Sequence, residues 1–261
     1  MNTLGWIVGF TLLGGVAGVM LAGIFLLVPE GARSRALPLL VAFATGALLG
    51  AALLGLLPEA IEMAGPGNYA RVGLSLLGGI ALFFVLEKLV LWRHCHEDHC
   101  ETHAPDHGHR HERAPGVMIL IGDTMHNVLD GVLIAAAFLI DINLGIMTSL
   151  AVLAHEVPSE VGNFAILLHS GMTRTQAFSW NLITALGAVI GGVVGYFALS
   201  AVRPALPYAL GVSAASLLYV AVADLIPGLH RKTDARSGIL QVVLIALGVL
   251  LVAAVEQLHT H

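Results

Sequence analysis

Long uninterrupted apolar stretches, separated by short polar or turn-forming breaks, dominate this chain. Eight are read, at residues 4–28, 36–59, 70–92, 116–140, 143–168, 176–200, 206–227 and 237–258. Each reaches the roughly 20 residues that a helix needs to cross a bilayer. The breaks carry turn chemistry, in Pro29-Glu30-Gly31, Gly65-Pro66-Gly67, Ser170-Gly171 and Pro204. The pattern predicts an all-α fold, a polytopic membrane protein built as an eight-helix transmembrane bundle in a single transmembrane domain. The first stretch lacks a basic start and is long enough to span, so it is expected to remain as the first helix and not to be a cleaved leader.

Composition sharpens this. Hydrophobic residues make up 57% of the chain and charged residues 11%, against about 25% charged in ordinary soluble domains. With only 12 Lys+Arg and a net charge of −5, the chain has no electrostatic footprint for nucleic acid. The basic residues alternate in sidedness. If both termini are extracytoplasmic, the inner loops and flanks hold Arg33, Arg35, Lys88, Arg93, Arg110, Arg113, Arg174, Arg231, Lys232 and Arg236, and the outer side only Arg71 and Arg203. The positive-inside tendency therefore favours eight spans with both termini outside. Glycines four residues apart at Gly14/Gly18, Gly46/Gly50, Gly187/Gly191 and Gly191/Gly195 suit close helix crossings, within the chain or in a homodimer.

Between the third and fourth stretches, residues 93–115 form a polar loop expected in the cytoplasm. It contains His94, Cys95, His96, His99, Cys100, His103, His107, His109 and His111, which is seven of the 13 histidines and both cysteines. Imidazole, thiolate and carboxylate together suit zinc and similar first-row ions. The irregular spacing points to a loose metal-capture tract, with reduced thiols, and not to a folded finger.

The polar residues inside the apolar stretches carry the sharper signal. The fourth holds Asp123, His126, Asn127 and Asp130; the fifth holds His155, Glu156, Pro158, Ser159, Glu160 and Asn163. Burying Asp130, Glu156 and Glu160 at helix centres costs about 8–10 kcal/mol together before compensation. His126 and Asp130 are four apart and share a face, with Asn127 bordering it; so do His155 and Ser159, and Glu156 and Glu160. Pro158 is expected to kink its helix. The mixture of imidazole nitrogen with carboxylate and amide oxygen fits a borderline divalent ion such as Zn²⁺ better than Ca²⁺. A bland alternative is interhelical hydrogen bonding. Asp123 is placed either behind His126 or as a cap; His169, Glu59 and Asp224 are candidate pathway groups or water-facing helix-end residues.

His126-Asn127-x-x-Asp130-Gly131 with His155-Glu156-x-Pro158-x-Glu160-x-Gly162 resembles the paired motifs of the ZIP (Zrt/Irt-like) family of divalent metal transporters, bacterial type. The run Leu218-Tyr219-Val220-Ala221-Val222-Ala223-Asp224-Leu225-Ile226-Pro227 is similar to that family's seventh span. The resemblance implies a metal centre between spans 4 and 5, with His126, Asn127, Asp130, His155 and Glu156 as ligands and the two acids able to bridge two ions. It also implies import of zinc, iron, manganese or cadmium into the cytoplasm across the cell (inner) membrane, often as a homodimer, with no organic cofactor. Two departures stand out. Ser159 offers only a hydroxyl where many relatives have a stronger ligand, and Asn163 lacks the charge of the Asp common there. Two rival readings are an intramembrane zinc protease, disfavoured because Ser159 stands where a zincin motif needs its second His, and a metal sensor without flux.

Overall fold

The computed structural model describes residues 2–97, 114–230 and 235–257, and every regular element among them is helical. In chain order these are α1 (Thr3–Phe25), α2 (Glu30–Gly50), α3 (Leu57–Ala64), α4 (Tyr69–Glu97), α5 (Ala114–Ile140), α6 (Ile142–His169), α7 (Arg174–Ala201), α8 (Leu206–Tyr219), α9 (Ile226–Leu229) and α10 (Ala235–Gln257). The turns fall where the sequence placed them, with Gly65, Gly67 and Gly171 at positive φ.

Two rods contain a change of helical pitch that the sequence reading did not anticipate. Residues Ala51–Leu56 join α2 to α3 as a π-helix, and Val220–Leu225 join α8 to α9 in the same way. Each ends two residues before a proline: Leu57 N–H bonds back to Ala52 O ahead of Pro58, and Ile226 N–H to Ala221 O ahead of Pro227. A proline has no N–H and its ring crowds the carbonyl four residues back. Slipping to i→i−5 bonding lets the rod continue past it. Glu59 and Asp224 therefore lie within continuous rods and not at helix ends. Pro158 leaves α6 helical throughout.

Among the described residues, seven rods are long and apolar enough to cross a membrane: Thr3–Phe25, Glu30–Ala64, Tyr69–Leu89, Ile119–Ile140, Arg174–Ala201, Arg203–Leu229 and Ser237–Val255. The remaining long helix, α6, has 28 residues and falls short in hydropathy because the fifth-span polar residues sit on it. It needs little lipid-facing surface. It packs against α1, α2, α5, α7 and α10, and half of its residues are buried. Large apolar side chains face outward on the surrounding rods, among them Leu77, Phe84, Ile190, Phe197, Val242 and Leu250, as expected where the solvent is lipid.

The helices fall into two packing groups. One comprises α1, α5, α6 and α7; the other comprises α2 with α3, α4, α8 with α9, and α10. They meet chiefly where α2 crosses α6 and α8 crosses α5. Within the first group α5 and α7 approach closely because glycines leave room. A Cβ on Gly191 would stand 1.9 Å from Val128 O, and one on Gly131 2.0 Å from Ala188 O. Gly46 and Gly248 do the same between α2 and α10. Most of the four-residue glycine spacing is thus spent inside the chain.

Candidate metal centre

A one-residue turn sets up the centre. α5 ends at Ile140 and α6 begins at Ile142, with Asp141 between them. The Asp141 carboxylate accepts from Asn143 N–H at 2.8 Å and Leu144 N–H at 3.2 Å, capping α6. Gly145 leaves space for the Phe138 ring across the turn. So tight a hairpin fixes the two helices in register. Asp130 lies 11 residues before Asp141 and His126 15; His155 and Glu156 lie 14 and 15 after it. At 1.5 Å per residue all four stand roughly 16–23 Å from the turn, near the middle of a membrane about 40–45 Å thick.

There the four side chains converge. His126 Nε2 and His155 Nε2 are 3.0 Å apart. Asp130 Oδ2 is 3.6 Å from the first and 3.4 Å from the second. Glu156 Oε1 is 3.6 and 3.5 Å from them. All four donor atoms lie within 4.8 Å of one another. Around one ion with bonds of about 2.0–2.1 Å, tetrahedral donors are about 3.3 Å apart, and the five separations above bracket that value. Asp130, His155 and Glu156 are buried, while His126 is 26% exposed and offers a way in. Asp130 Oδ2 and Glu156 Oε1 are buried with no hydrogen-bond partner among the described residues. Buried acceptors are rarely left so; a cation satisfies both, and two carboxylates balance its charge.

The other residues singled out in the sequence stand around this cluster. Asn127 is buried on α5, and its Nδ2 donates to Asp123 O at 3.0 Å, so only its Oδ1 remains as a ligand. Ser159 is half-buried and makes no hydrogen bond among the described residues. Glu160 is buried with both oxygens unpartnered, within electrostatic range of Asp123 and Glu156 but outside the four-atom cluster. Asp123 does not hold His126 in place. Its Oδ1 accepts from Asn163 Nδ2 at 2.8 Å, a buried bridge from α5 to α6. His169 is exposed at the end of α6, roughly 20 Å from the centre by helical rise. Glu59 is half-buried and Asp224 exposed, both on the second packing group. α4 runs on to Glu97, which puts His94, Cys95 and His96 on its last turn and not in a loop. His99, Cys100, His103, His107, His109 and His111 lie outside the described residues.

Two residues escaped the sequence reading. Asn181 of α7 is fully buried with both amide atoms unpartnered, and Thr184, one turn on, lies against Asp123. Their signal was an Asn and a Thr continuing the Gly187/Gly191/Gly195 face of α7, the face that packs on α5.

A multi-pass helical membrane protein with a cation-shaped cluster at mid-depth is the class that these features define. Comparison with known proteins narrows it: the family described as ZIP Zinc transporter matches residues 4–116 and 92–256, and the chain belongs to that family. It is 32% identical over 222 residues to the zinc transporter ZIP13 of Pongo abelii, covering 80% of this chain and 64% of that protein. It is 30% identical over 251 residues to the zinc transporter YKE4 of Saccharomyces cerevisiae, covering 86% and 72%. Against the human zinc transporter ZIP10 it is 38% identical over 157 residues, covering 56% and 19%. Members of the family are transporters and not enzymes, which removes the protease reading. These relatives are eukaryotic and lend no support to the bacterial-type expectation.

Proposed function

We propose that this protein carries divalent transition-metal ions, zinc first, across the cell membrane into the cytoplasm, and that the ion passes through the centre between α5 and α6. The observation that carries this reading is the convergence of His126 Nε2, His155 Nε2, Asp130 Oδ2 and Glu156 Oε1 on one point between α5 and α6. The names of the relatives support zinc as cargo. The Lys/Arg bias supports extracytoplasmic termini, and the inward direction rests on the family resemblance.

The ion sheds water as it meets His126, the exposed member, and exchanges it for the three buried donors. Release requires that the site hold the ion only moderately. Access alternates as the group bearing α5 and α6 shifts against the group bearing α2 and α8. Their mutual contacts are sparser than those within each group, which supports such a shift. The polar tract at 94–111 gathers metal on the cytoplasmic side. In proteoliposomes, purified protein is expected to accumulate zinc, and Asp130→Ala or Glu156→Ala to abolish accumulation while the chain still inserts. Binding without accumulation by the natural sequence would favour a sensor; normal uptake in either variant would remove that residue from the path.

A further inference from the structure

At one end of the bundle, away from the metal centre, four helix ends frame a cleft of about 350 Å³. α1 and α6 finish there and α2 and α7 begin there, so the cleft lies at one membrane face. Its floor includes Leu26, Phe164, Leu168 and Phe178; Arg33 and Arg174 stand at its edge. Arg33 is in the first turn of α2 and half-buried, and Arg174 opens α7 and is exposed. Neither guanidinium has a carboxylate partner among the described residues. Phe178 lies four residues beyond Arg174 on α7 and Phe164 five residues before the end of α6, each roughly 6–8 Å into its helix by helical rise.

We propose that this cleft binds one anionic phospholipid, its phosphate between Arg33 and Arg174 and an acyl chain on the aromatic floor. Two unpaired guanidiniums across one opening repel each other, and a phosphodiester relieves both with bidentate hydrogen bonds. The apolar floor below them matches what is attached to a lipid phosphate and has no use for a free one. A zwitterionic headgroup brings its own cation to the two arginines, so a net negative headgroup is preferred. Because Arg33 sits on one packing group and Arg174 on the other, the lipid ties the two together. Its effect on rate rests on the transport reading; its binding does not.

Native mass spectrometry of the full chain in detergent, with phosphatidylglycerol, phosphatidylcholine or inorganic phosphate added, tests this. One phosphatidylglycerol per chain is expected to be retained. Arg33→Gln with Arg174→Gln is expected to weaken that retention about thirtyfold. Arg71→Gln with Arg203→Gln, at the opposite membrane face, is expected to leave it unchanged. If the double variant fails to insert, the two single variants decide, each expected to lose about fivefold. Equal retention of phosphatidylcholine, indifference to the Gln variants, or equal retention of inorganic phosphate alone would each overturn the proposal.

Discussion

Asn163 shows how one atom changes the interior. Its amide donates to Asp123 across the α5–α6 interface, and both are buried. An Asp at 163 would set two carboxylates against each other with no donor between them. Asn163→Asp is therefore expected to lower stability by about 1–3 kcal/mol, read by thermal unfolding in detergent. Exchanging the pair, Asp123→Asn with Asn163→Asp, restores one amide and one carboxylate and is expected to recover most of the loss. The absence of recovery would mean that Asp123 is fixed by Thr184, not by Asn163. At the metal cluster, zinc binding only the folded state is expected to raise stability by about 2.7 kcal/mol at a hundred times its Kd. Glu156→Ala is expected to abolish that increment.

At the scale of elements, helix contact is governed by what a glycine omits. Gly191→Val puts atoms into the backbone of α5 at Val128, two residues from both His126 and Asp130 on the same helix. It is expected to lose at least about 1–3 kcal/mol and to lose uptake with it. Gly14→Val belongs to the same sequence pattern, yet nothing lies within 4 Å of the added carbon. It is expected to change stability by no more than about 0.5 kcal/mol. Equal damage from both would indicate that Gly14 faces a second copy of the chain. The spacing of glycines was legible in the sequence, but which of them face a neighbour was not, because the rotation of each rod depends on all the others.

For the whole molecule, the two packing groups and the enclosed α6 frame the path. Deleting residues 94–111 is expected to slow uptake without stopping it, since the centre is built wholly from α5 and α6; complete loss would make that tract obligatory. Sidedness is checked by a membrane-impermeant maleimide on Asn2→Cys in a background without Cys95 and Cys100. Labelling of intact cells from outside is the expected outcome.

The sequence by itself determined that the chain is a set of membrane-length helices, because bilayer thickness and backbone hydrogen bonding leave little else for such apolar runs. It also determined which face of each motif helix carries donors, because residues four apart must stack. Helical periodicity says nothing of the height or rotation of one rod relative to another. The single-residue turn at Asp141 decided that height. It brought His126, Asp130, His155 and Glu156 to one point and left Asn127, Ser159 and Glu160 around it. The i→i−5 slips before Pro58 and Pro227 were likewise decided only in the folded rods, where they let each helix run past a residue that on local chemistry alone could end it.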